Sequence, residues 1–143
     1  MVGYHYTSLE NYRRIQHEGL KLYPLRKEFH QWVTQGIWLY TEQQDRLSHL
    51  GCVAWQCRTK GTKDVVLLQV KYIYKDRVTP DGKHTFTVKH DLFDKYPTKI
   101  FLHRQASATV IFRPVPSNRV KLLCTTSVGG DLDYFIEELR KAA

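Results

Sequence analysis

The chain has 143 residues, 42% of them hydrophobic, and a formal charge of +8 with a pI near 9.5. That length and composition suit one domain with a real core and exclude a disordered chain or two ordinary domains. The basic excess favours an anionic partner such as nucleic acid or a phosphate-bearing cofactor. Three cysteines, an odd number, with no secretory leader and no apolar run long enough to span a bilayer, lead to the expectation of a reduced, cytoplasmic setting and no membrane partner.

The segment Tyr4-His5-Tyr6-Thr7-Ser8-Leu9-Glu10-Asn11 delivers a histidine at the end of a short strand and starts a helix at once. Thr7 and Glu10 have the spacing of a capping box, and Gly19 is the expected helix stop. A polar ring facing the positive end of a helix can hold a phosphate-bearing ligand. Of Arg13 and Arg14, either could meet a pyrophosphate or simply face solvent.

Lys21 to Gln35, broken by Pro24, reads as a loop. Gly36 to Thr41 reads as a strand with Trp38 and Tyr40 on one face. Glu42 to Gln56 is helical, with Leu47, Leu50, Val53 and Ala54 as its buried stripe, and Trp32 and Trp55 are packing residues. Asp64 to Tyr74 is a strand whose centre is apolar on both faces. Thr79-Pro80-Asp81-Gly82 is a turn, and His84 to Val88, Ile100 to His103, Thr109 to Arg113 and Val120 to Cys124 are short strands. Asp91 to Pro97 is irregular or a helical turn, and Asp131 caps a last helix over Leu132 to Lys141. Early helices followed by many short strands define an α+β domain over 1–143. Cys52 and Cys57 are expected in the core. No spacing suggests a metal site.

Three separated segments then share a logic. His5 can hold a ribose hydroxyl, Trp38 or Tyr40 can stack on a flat cationic ring, and Arg104-Gln105-Ala106-Ser107-Ala108 precedes a strand and the turn leading to Arg119-Val120. In order and character these segments resemble ADP-ribosyltransferase-fold proteins, closest to DarT-like DNA ADP-ribosyltransferases and small phage or toxin relatives. The resemblance implies two small packed antiparallel sheets with flanking helices and a central cleft for NAD. NAD would be the substrate, and ADP-ribose would pass to nucleic acid or, second, to protein. It implies that His5, Tyr6, Thr7, Trp38, Tyr40, Thr41 and Arg104 bind the dinucleotide, with Tyr40 also near the chemistry. The catalytic glutamate of that family falls here on Ser107 or Ala108, neither of them a carboxylate. Loss of one such anion costs about 3 kcal/mol or more of transition-state stabilisation. The expectation is therefore an inactive variant, in which glutamate at position 108 raises NAD cleavage.

Two alternatives stand beside this. His84, His90 and His103, with Lys83 and Lys89, could serve a metal-independent ribonuclease. Lys71, Tyr72, Tyr74, Lys75 and Arg77 could serve a non-catalytic nucleic-acid-binding module.

Overall fold

The structure, a computed structural model, describes residues 1–23, 31–91 and 105–129, with Tyr134, Glu137 and Lys141 singly. The chain order is β1 (Val2–Ser8), α1 (Leu9–Glu18), α2 (Gln31–Gln35), β2 (Ile37–Leu39), α3 (Gln43–Thr59), β3 (Asp64–Lys71), β4 (Thr87–Asp91), β5 (Gln105–Ile111) and β6 (Val120–Ser127). The expected α+β class is present as two antiparallel three-stranded sheets, ordered β1-β3-β6 and β2-β5-β4.

Strand β3 explains its own unbroken apolar run. Val65 and Leu67 face α3, in a core with Tyr6, Leu50, Ala54 and Cys57. Val66, Leu68 and Val70 face the other way, toward Ile15 of α1, Leu39 of β2 and Ile111 of β5. A central strand covered on both faces has no place for the polar-apolar alternation of a half-exposed one. Cys52 and Cys57 are buried, as expected, and burial pushes the Cys52 thiol up to about 12.

Several boundaries move. Ser8, not Thr7, caps α1: its hydroxyl accepts from the Asn11 backbone at 3.1 Å, while Thr7 Oγ1 accepts from the Asn11 side chain. Part of the expected 21–35 loop is α2. The strand expected to reach Tyr74 ends at Lys71, because Tyr74–Arg77 winds into a 3-10 turn around buried Asp76. The carboxylate of Asp76 accepts from the Ile73 backbone and pairs with Arg119 at 3.2 Å. The strand expected at His84–Val88 begins at Thr87, β5 begins at Gln105, and β6 runs on to Ser127. The turn at 79–82 forms, closed by Gly82 N donating to Thr79 O at 2.8 Å with Gly82 at φ 76°. Gly19 stops α1 at φ 73°, where a Cβ would lie 2.2 Å from Val115 O. The expected strand at 100–103 lies outside the described residues, as do the region 92–97 and most of the last helix; Tyr134, Glu137 and Lys141 are helical.

Among the described residues, one backbone bridge joins the two sheets. Tyr4 and Tyr40 exchange two backbone hydrogen bonds, 2.8 and 2.9 Å, which sets β2 beside β1. Beyond that rung the strands separate, and the fork they leave is where the candidate residues His5, Trp38 and Tyr40 gather.

Candidate functional site

The rung after Tyr4–Tyr40 would join Tyr6 N–H to Trp38 C=O. In this fold the two groups are parted, and a different imidazole serves each. His5 Nδ1 lies 3.0 Å from Trp38 O, and Tyr6 N donates to His49 Nδ1 at 3.3 Å. A carbonyl can only accept, so His5 carries its proton on Nδ1, and its Nε2, when the ring is neutral, is an acceptor. His49 receives an N–H at Nδ1, so its neutral ring carries the proton on Nε2. The two rings are 5.2 Å apart, centroid to centroid. Burial holds the His5 pKa below its ordinary 6.5, against the opposing pull of the Trp38 carbonyl, which keeps the ring neutral near pH 7.

His5 lines three adjoining lobes of a groove, and Tyr23 lines them with it. An aromatic lobe of about 390 Å³ is walled by Trp38, Tyr40, Ile37, Leu20 and His49. A smaller lobe of about 210 Å³ carries Arg14, Lys21, Asn11 and Glu18. A polar lobe of about 350 Å³ runs along the first turn of α1, with Ser8, Glu10 and Asn11, and along the α3 face that holds His49, Val53, Gln56 and Lys60. The groove thus joins an aromatic end, a cationic side and a polar end around one imidazole.

The fork brings two of the three sequence segments together. Tyr6 and Thr7 border the groove beside His5, with Tyr6 largely in the core and its phenol pushed by burial up to about 12. Trp38 and Tyr40 share a face and a lobe, but they differ. Tyr40 is 3% exposed and stacks on His49 at 4.3 Å, whereas Trp38 is half-buried, its indole N–H donating to Val33 O at 3.0 Å. Trp38 is therefore the ring better placed to take a flat ligand. Arg14, and not Arg13, lines the groove. Thr41 is exposed and lines none of the lobes.

The third segment is placed differently. Ala108 is fully enclosed with Tyr40, Cys52 and Ala106 and lines none of the lobes. A glutamate there would have to displace packed neighbours before it reached a ligand. Ser107 is half-buried, and its N–H, which β2 leaves behind as it turns toward β1, donates to the buried Asp45 carboxylate at 3.0 Å. Asp45 closes that gap in the ladder. Arg104 lies outside the described residues.

Among the described residues, neither grouping behind the two alternatives contributes to the groove, and the side chain of His90 lies outside them. His84 stacks against Phe86 beside the 79–82 turn, His103 lies outside the described residues, and none of Lys83, His84 or Lys89 lines a lobe. Tyr72 is 5% exposed and belongs to the core, so it cannot stack on a base, whereas Tyr74 is 62% exposed. Among the described residues no group of three or more His, Cys, Asp or Glu side chains could hold a metal ion, and no helix is long and apolar enough to cross a membrane.

His49 is the functional residue that sequence reasoning missed. Its one signal was position: with Val53, Gln56 and Lys60 it forms a stripe at helical spacing beside the apolar one. No family model, curated protein or solved structure matches this chain.

Proposed function

We propose that this protein is a nicotinamide-dinucleotide-binding domain of ADP-ribosyltransferase type. The reading rests on one observation: His5 bonds to the Trp38 carbonyl at the fork between the sheets, so the first two motif segments open on the same groove. In this reading the neutral His5 accepts a ribose hydroxyl at Nε2. Trp38 covers the nicotinamide ring, gaining stacking and cation–π attraction. Arg14 and Lys21 stand on the side where a pyrophosphate would lie. The reaction would break the bond between ribose and nicotinamide, release nicotinamide and join C1′ of the ADP-ribose to an acceptor nucleophile. The net charge of +8 favours a nucleic-acid acceptor, with protein second. With Ala108 enclosed and Ser107 uncharged, binding without rapid turnover is the expected behaviour.

The test is thermal unfolding with and without NAD. A ligand that binds only the folded state raises the midpoint, by about 2.7 kcal/mol of stabilisation at a hundredfold excess over its dissociation constant. NAD is expected to stabilise the native chain, and Trp38→Ala and His5→Ala are expected to lose that gain. Absence of any shift at millimolar NAD overturns the reading.

A second reading is favoured by the imidazole pair alone. Neutral His5 has an acceptor at Nε2 that could take the proton of a ribose hydroxyl, and His49, once protonated to the imidazolium, would give a proton to the leaving oxygen, as metal-independent cleavage of RNA requires. RNA cleavage by the native chain that disappears in His49→Ala would select it.

A further inference from the structure

On the far side of Tyr6 from the fork lies a second cavity, of about 300 Å³, between the first turns of α3 and the first sheet. Its floor follows from the register. Tyr6, Leu67 and Cys124 are paired across β1, β3 and β6, so their side chains share the face toward α3. That row exists because β6 contains a bulge. Leu68 pairs with Leu122 and Leu67 with Cys124, leaving Leu123 as the extra residue. Without the bulge Leu123 would stand on this face. With it, Leu123 is turned out, 41% exposed, and Cys124, Thr125 and Thr126 line the cavity. The fold thus exposes a leucine and leaves a cavity of mixed lining, with Leu47 and Leu67 beside its polar groups.

The walls are cationic. Arg46 and Lys141 line the space with Gln43, and no carboxylate is among its described lining residues. Arg46 is held in place by the Tyr4 ring, its guanidinium carbon 4.5 Å from the centroid. Its Nε is buried and has no hydrogen-bond partner among the described residues. The one carboxylate in the first turn of α3, Asp45, is occupied by Ser107 N. Two cations, an amide and, on the face toward α3, the hydroxyls of Tyr6 and Thr126 around a space of this size suit a tetrahedral oxyanion.

We propose that this cavity binds the phosphate group of a ligand, with Arg46 as its principal contact, independently of the groove around His5. Cys124 reports on it, since it is the exposed cysteine of the three and lines the cavity. Alkylation of Cys124 by iodoacetamide is to be followed in inorganic phosphate and in chloride of equal ionic strength. Phosphate at ten times its dissociation constant is expected to slow the reaction about tenfold. Arg46→Gln is expected to remove the protection, Arg46→Lys to keep part of it, and His5→Ala to leave it unchanged. A short oligothymidylate separates the sources: protection by it as well as by inorganic phosphate assigns a nucleic-acid backbone, and protection by inorganic phosphate alone assigns a small phosphate compound. Equal rates in phosphate and chloride overturn the proposal, as does protection that survives intact in Arg46→Gln. The native-chain measurement decides even where a variant fails to fold.

Discussion

The central strands of the two sheets share large residues such as Ile111 of β5 and Leu68 of β3 where they pack on each other, but differ where they face α3. β3 is filled with Val65, Val66, Leu67, Leu68 and Val70, each almost fully buried between α3 on one side and α1, β2 and β5 on the other. β5 carries Ala106 and Ala108 on its α3-facing side. The missing volume is supplied from the neighbouring strand and helix: Trp38 of β2 and Tyr40 just after it pack over the two alanines with Cys52. Large residues in the first sheet make it the stabilising half. Small ones in the second leave room for aromatic rings that also wall the groove. Among the described residues the sheets' backbones join through the one rung at Tyr4–Tyr40, so the groove opens where they part.

Substitutions at the two centres break this comparison most strongly. Ala108→Glu puts four extra heavy atoms, a methylene and a carboxylate, into an enclosed site, and is expected to cost about 4 kcal/mol in denaturant unfolding. A stable variant that cleaves NAD quickly would show instead that the second sheet opens there, as the family resemblance implies. Leu68→Ala removes a fully buried side chain from the first sheet, and the expected loss is about 3 kcal/mol. A loss below 1 kcal/mol would remove the first sheet from its stabilising role.

The fork gives smaller effects. His49→Ala deprives Tyr6 N–H of its acceptor and Tyr40 of its stacked neighbour, and is expected to cost about 2 kcal/mol. His49→Asn, which keeps a side-chain acceptor, should recover part of it. The smallest effect is the dependence on pH. The folded-state pKa of His5 lies below 6.5, so between that value and 6.5 the unfolded chain binds more protons than the folded one. The His5 contribution is full above 6.5 and is lost as pH falls through the lowered value. Unfolding free energies followed from pH 8 to pH 4 should show this decline, and His5→Asn should flatten it.

Much of this arrangement was legible in the sequence because it is local. The alternation of Ile37, Trp38, Leu39 and Tyr40 placed both aromatics on one face, and the continuous apolar run of β3 announced its burial on two sides. The α+β class followed from the order of elements, and the two small antiparallel sheets were what the family resemblance implied. The rest depended on tertiary events. The cap shifted by one residue because Thr7 and Ser8 both offer hydroxyls and only backbone direction chooses between them. His49 stood one residue before Leu50, on the flank of an apolar stripe, and its partner is a backbone N–H orphaned only because two distant strands diverge. The bulge at Leu123 left no mark in a strand whose residues from Val120 to Ser127 have no strict alternation. The enclosure of Ala108 came from α3, which no pattern within 104–112 could reveal.

The most direct measurement is a long-range nitrogen–proton NMR spectrum of the histidine rings at neutral pH, recorded before and after NAD is added. Two neutral rings of opposite tautomer are expected, His5 protonated at Nδ1 and His49 at Nε2, with His5 shifting first as NAD enters. Matching tautomers, or a pair of rings indifferent to NAD, would contradict the fork as the ligand site.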